Sequence, residues 1–123
     1  MREFGQLESA IMDVIWAGTR PYSVREVRER MEYGRPVAYT TVMTVMGILH
    51  GKGVLHREKQ GRAWRYWPAE SKAEHDARLM AEVLRSGLDH RLTFRRFLER
   101  VSDDEMASLQ DAVFSASDRR AAS

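Results

Sequence analysis

"KGVLHREKQGRAWRYWP", residues 52–68, is the stretch on which the fold turns. After the apolar pair Val54 and Leu55 it brings Arg57, Lys59, Arg62 and Arg65, then closes on Trp64, Tyr66, Trp67 and Pro68. Ala63, Arg65 and Trp67 alternate with Trp64 and Tyr66 at a period of two, which suits paired strands with "KQGR" as the tight turn between them. Pro68 has no backbone N–H to donate and ends the second strand. Residues 50–66 set five Lys or Arg against one acid, Glu58. A positive field this local is the footprint expected of a surface that meets phosphate.

Helices precede the hairpin. Leu7, Ile11, Val14 and Ile15 recur at helical spacing, Trp16 closes the stripe, and "AGTRP" breaks it. Ser23 with Glu26 forms a capping box for a second helix whose apolar face is Val24, Val27 and Met31, and "YGRP" ends it. A third helix starts near Ala38 or Tyr39 with Val42, Val45, Met46 and Leu49 inward, and stops at "GKG". Three helices followed by a basic hairpin is the order of a winged helix-turn-helix.

Beyond residue 70 the pattern is helical throughout. Ser71 caps a helix with Ala73, Ala77, Met80, Leu84 and Leu88 in one stripe, and Val83 joins it among the residues expected to meet a partner; Phe94, Phe97, Leu98 and Val101 form a second stripe; Met106, Leu109 and Val113 form a third, opened by a Ser102–Glu105 capping box. The tail "SASDRRAAS" is expected to fray. The predicted fold is therefore mainly α with a small β-wing: a winged-helix domain over residues 1–70 and a helical region over 71–123.

Composition excludes several functions. With 123 residues, 43% hydrophobic and 31% charged, the chain suits one soluble domain or two small subdomains. No apolar run approaches the roughly 20 residues needed to span a bilayer, so membrane insertion is not expected and the cytoplasm is. The absence of cysteine removes disulfides, thiolate metal sites and thiol catalysis. His50, His56, His75 and His90 share no metal-ligand spacing, and no glycine loop suits a phosphate cofactor, so neither a metal, a cofactor nor catalysis is expected. The formal charge of +2 is uneven: residues 1–70 hold eleven Lys or Arg against eight acids, and residues 71–123 hold nine against ten.

These patterns point to double-stranded DNA. With its apolar stripe inward, the third helix turns Tyr39, Thr40, Thr41, Met43, Thr44 and Gly47 outward, a small and uncharged surface that fits a major groove. Threonine hydroxyls bond phosphates or base edges, and threonine and methionine methyls meet the thymine methyl. Lys52, Arg57, Lys59, Arg62 and Arg65 are placed to neutralise phosphates, with release of condensed counterions. The aromatics of the return strand are expected to pack it onto the core. The C-terminal stripes cannot bury their apolar faces alone, so a second copy is the expected partner, and a dimer suits a two-fold symmetric site. The competing reading is a winged helix that docks another protein through its outward Thr, Met and Ile surface without binding DNA.

"LESAIMDVIWA", "SVREVRERM" and "AYTTVMTVMGILHGKGVLHREKQGRAWRYWP" resemble the winged helix of the penicillinase repressor family of bacterial transcription regulators. The resemblance is specific in "AYTTVMTVM" and "GRAWRYWP"; the rest agrees in helical character and length. It implies a homodimeric repressor on a palindromic operator, the C-terminal helices holding the dimer, with β-lactam resistance or cell-wall genes under control. It also implies a membrane-bound sensor protease as signalling partner, acting by cleavage in the C-terminal region. Three departures bear on this. The family's Arg-Leu pair and following cations at the end of the recognition helix are replaced by Ile48-Leu49 and Gly51-Lys52. The cleavable Asn-Phe pair of staphylococcal-type members is Arg96-Phe97 here, which argues against that cleavage. The cysteine motif of copper-responsive relatives is absent.

Overall fold

The computed structural model describes residues 4–122. The chain divides into two compact units, Met1–Asp76 and Ala77–Ser123.

In the first unit the elements run α1 (Gln6–Ala17), β1 (Tyr22–Ser23), α2 (Val24–Arg30), α3 (Tyr39–Gly51), β2 (Leu55–Gln60) and β3 (Ala63–Pro68). Ile11, Met12 and Ile15 of α1, Val24 and Val27 of α2, and Val42, Met46 and Leu49 of α3 bury together with Leu55 and Tyr66 from the hairpin. Met12, outside the expected stripe, is fully buried, because α2, α3 and β3 all pack on α1 and cover it more widely than a single stripe requires. Met31 caps the C-terminus of α2 and does not lie on its helical face.

The sheet is antiparallel in the order β1-β3-β2. Pairing runs from Leu55 opposite Pro68 to Gln60 opposite Ala63, so the turn is only Gly61-Arg62, shorter than "KQGR". Gly61 has a φ of +63°, which a two-residue hairpin turn demands and glycine accepts without strain. Tyr22 pairs with Tyr66 and Ser23 with Arg65 in a two-residue strand that sequence periodicity does not announce.

Ser23 both ends that strand and caps α2. Its hydroxyl accepts the Glu26 N–H at 3.2 Å while Glu26 Oε1 accepts the Ser23 N–H at 3.0 Å. The same carboxylate accepts from Arg20 Nη2 at 2.7 Å and from Arg65 Nη1 at 2.6 Å. Arg20, the Ser23 N–H and Arg65 together hold the Glu26 carboxyl at about 2, well below its ordinary 4.5.

The first unit extends past residue 70, to Asp76. The Trp16 indole N–H donates to the Glu70 carbonyl at 3.0 Å. His75, in the first turn of α4 (Lys72–Ser86), is buried, stacked on Phe4 with ring centroids 5.1 Å apart and 4.9 Å from Trp16.

The second unit holds the rest of α4, then α5 (His90–Leu98) and α6 (Asp103–Ala122). Asp89 caps α5 through the Leu92 N–H at 3.1 Å, and Ser102 with Glu105 makes the expected box before α6. Leu88 falls in the turn after α4, not on its stripe, because Gly87 stops the helix first; Val101 likewise lies beyond α5. The tail expected to fray is helical to Ala122, where alanines favour the helix and Arg119 and Arg120 oppose the negative end of its dipole. Ser123 lies outside the described residues.

Glu26 carries an acid-dependent share of stability. Its folded pKa lies below its unfolded one, so this share is present above about pH 4.5 and disappears as pH falls through about 2. Glu26→Gln should cost about 1–2 kcal/mol at pH 6, discounting for partial exposure. Urea melts at pH 6 and near pH 2 check this, the gap between variant and parent closing in acid.

Candidate nucleic-acid interface

Residues paired directly across an antiparallel ladder share a face. On one face of the hairpin stand Leu55, Arg57 and Lys59 opposite Pro68, Tyr66 and Trp64; on the other stand His56, Glu58 and Gln60 opposite Trp67, Arg65 and Ala63. The first face passes from buried Leu55 and Tyr66 to a cationic outer half. There the Arg57 guanidinium lies 4.2 Å from the Trp64 ring centroid and donates to the Tyr66 hydroxyl at 3.4 Å, while Lys59 Nζ lies 5.8 Å from the same ring. Trp64 is exposed, so of the three aromatics only Tyr66 is a core residue and Trp67 is half-buried against His56. Arg62 is exposed in the turn at the tip.

Two of the expected phosphate ligands have partners elsewhere in the fold. Arg65 is bound by Glu26 on the opposite face of the hairpin, and Lys52 Nζ pairs with Glu8 Oε2 of α1 at 3.2 Å. The hairpin's outward cations are therefore Arg57, Lys59 and Arg62.

On α3, Tyr39, Thr40, Thr41, Met43 and Thr44 are exposed and Gly47 is half-buried. Ile48 joins this surface, 49% exposed although apolar. The Thr44 hydroxyl donates back to the Thr40 carbonyl at 2.9 Å, which spends its proton within the helix. The surface is thus rich in methyl groups and carries no charge. Sequence reading singled out none of three further exposed cations: Arg25 and Arg28 on α2, and Arg35 in the loop before α3, with Arg25 Nε paired to Glu29 Oε1 at 3.3 Å and Arg28 Nε donating to the Val37 carbonyl at 2.8 Å, which fixes that loop. Their signal was the spacing of arginines along α2, which an apolar-stripe reading passes over.

The second unit presents a different surface. Leu79, Met80, Val83 and Leu84 of α4 and Phe94 and Phe97 of α5 line an apolar groove of about 380 Å³. Met80, Val83, Leu88, Phe94, Phe97, Leu98 and Val113 are exposed, and Leu84, Val101, Met106 and Leu109 are half-buried. Leu92 and Phe114, absent from the expected stripes, are also exposed. Among the described residues, α5 and α6 bury no side chain.

No helix among the described residues is long and apolar enough to cross a membrane, and no three His, Asp or Glu among them could jointly hold a metal ion.

With this geometry in view, comparison with known proteins is decisive. The family model "Penicillinase repressor" matches residues 4–114. The chain belongs to the penicillinase repressor family. The transcriptional regulator BlaI of two Mycobacterium tuberculosis strains, CDC 1551 / Oshkosh and ATCC 25618 / H37Rv, is in each case 37% identical over 116 residues, covering 92% of this chain and 84% of the relative. The solution structure of the DNA-binding domain of the repressor BlaI superposes with a TM-score of 0.51 at 25% identity, covering 58% of this chain and 87% of that one. The penicillinase repressor match spans both units, whereas the structural match takes in little more than half the chain.

The two hairpin arginines should separate on mutation. Arg65→Ala breaks the bond to Glu26 and should lower stability by about 1 kcal/mol, whereas Arg62→Ala at the exposed tip should leave it within about 0.5 kcal/mol. Chemical denaturation of both variants at neutral pH tests this; equal losses would contradict it.

Proposed function

We propose that this chain is a homodimeric transcriptional repressor that binds a palindromic operator, with α3 in the major groove and the hairpin on the flanking phosphates. The observation that carries this reading is the uncharged, methyl-rich face of α3 in a winged helix whose hairpin presents Arg57, Lys59 and Arg62. Arg25, Arg28 and Arg35 add cations where the first helix of a helix-turn-helix crosses the backbone. BlaI, whose DNA-binding domain is the structural relative, supports the same assignment, and β-lactam resistance or cell-wall genes are the targets this kinship suggests. The protein acts in the cytoplasm and has no catalytic role.

The dimer rests on the second unit. A groove lined by Leu79, Met80, Val83, Leu84, Phe94 and Phe97 in a unit whose last two helices bury nothing needs a second copy to remove it from water. Release does not follow cleavage at Arg96-Phe97: both residues are helical, Arg96 pairs with Glu99 at 2.8 Å, and a protease must first unwind the segment and then accommodate an arginine in place of asparagine.

Exposed Tyr39, Met43 and Ile48 on α3 favour one alternative, a protein-docking surface. Salt separates the two, since phosphate binding weakens steeply with added salt and apolar docking does not.

Selection of duplexes from a random library, followed by footprinting, tests the proposal; failure to enrich a two-fold symmetric site would refute it. On the selected duplex, Arg62→Ala should weaken binding to all sequences alike and flatten the salt slope by about one unit. Thr44→Val should keep operator preference and Thr44→Ser should lose about 1 kcal/mol of it at one or two positions, because the methyl and not the committed hydroxyl faces the bases. Leu84→Asp should give monomers or unfolded chain in sedimentation, at a cost of several kcal/mol; a wild type that is monomeric at micromolar concentration contradicts the dimer.

A further inference from the structure

We infer that Trp64 is a positioning residue for the hairpin's DNA contact: its indole holds the Arg57 guanidinium, and more loosely the Lys59 ammonium, ready for phosphate before DNA arrives. The inference rests on the DNA-binding reading above and assigns a role to the residue that the core leaves over. Tyr66 and Leu55 already close the core beneath the hairpin, yet Trp64, one strand position outward of Tyr66 on the same face, is 38% exposed. A large aromatic left half in water on a two-stranded projection adds little to packing.

Its contacts show what it adds. Arg57 is fixed at two points, by the Trp64 ring at 4.2 Å and by the Tyr66 hydroxyl at 3.4 Å, and Lys59 lies 5.8 Å from the same ring on the strand opposite. Long cationic side chains lose rotamer freedom when they bind phosphate, and a cation already held over a ring loses less of it. The register supports the arrangement, because Lys59 pairs directly with Trp64 and Arg57 directly with Tyr66, so the cations and their supports share one face along the ladder. The buried Tyr66 joins this face to the core, which makes the platform rigid relative to α3.

Acting through the cations has a different signature from touching DNA or from holding the fold. Trp64→Ala should weaken binding to the library-selected duplex about three- to tenfold. The slope of affinity against salt should stay unchanged, since every charge remains, whereas Arg57→Gln should reduce it by about one unit. In the Arg57→Gln background Trp64→Ala should cost less than about twofold, because the cation it positions is gone. Trp64→Phe should restore most of the affinity. In the free protein, NMR should find the Arg57 side-chain protons shifted upfield by the Trp64 ring current, and the shift should vanish in Trp64→Ala; this measurement on the wild type stands even where the alanine variant folds poorly. Additive losses for Arg57→Gln and Trp64→Ala, an unaffected Trp64→Ala, or absence of the ring-current shift would each overturn the inference while leaving the repressor intact. A wild type that retains no duplex from the library would sink both.

Discussion

A single carboxylate connects the pieces of the winged helix. Glu26 closes the capping box at the start of α2, accepts from Arg20 in the loop before β1, and accepts from Arg65 on β3. The first of these bonds sets where α2 begins, and the last fixes β3 against it. Because β3 lies between β1 and β2, anchoring it orients the whole hairpin. Such a cluster is stronger than the usual surface ion pair, since one acceptor serves two guanidiniums and a backbone donor at once and holds its proton only in strong acid. Its electrostatic consequence is equally local. Arg65, a cation of the wing itself, is neutralised internally, and the positive field is left to the residues that point away from Glu26.

That sorting follows from the period of a strand. Arg57 and Lys59 are two residues apart, so they share a face; Arg65 lies on the other face and meets Glu26. Tyr66, between Trp64 and Pro68 on the first face, reaches the core and is only 2% exposed. One residue thus serves as hydrophobic anchor, hydrogen-bond acceptor for Arg57, and reference point for the outer cations. A one-residue slip of register would exchange the two faces, take Leu55 and Tyr66 out of the core and part Arg65 from Glu26. The glycine turn at Gly61, which fixes the register, is in this sense part of the proposed interface.

The local features of the chain were legible in its sequence because they depend on neighbours. The Ser23–Glu26 and Ser102–Glu105 capping boxes, the hairpin and the order of helices all follow from residues a few positions apart. What was not legible is long-range. The bond from Arg65 spans 39 positions to Glu26, and no count of charges distinguishes it from Arg62. The two-residue strand β1 exists only because β3 lies beside it. Trp64 and Tyr66 are both aromatic at strand spacing, and only distance from the core decides that one is exposed and the other buried. Leu88 fitted a helical stripe by arithmetic, but Gly87 stops α4 before that stripe reaches it.

Exposed apolar residues occur in both units, and their surroundings give them opposite meanings. On α3, Tyr39, Met43 and Ile48 are interleaved with threonines on a helix whose other side is packed into a complete core, so the first unit folds without covering them. Such residues are available to a ligand that is itself polar at its edges and apolar at isolated methyl groups, as the floor of a major groove is. In α5 and α6 no side chain among the described residues is buried, although Leu92, Phe94, Phe97, Leu98, Val113 and Phe114 are all present. Here the exposed surface stands in place of a core and is not set on top of one. A helix of nine residues with no buried side chain is too short to persist on propensity alone. On the proposed dimer the partner's surface supplies this missing stability, and folding and assembly become one equilibrium.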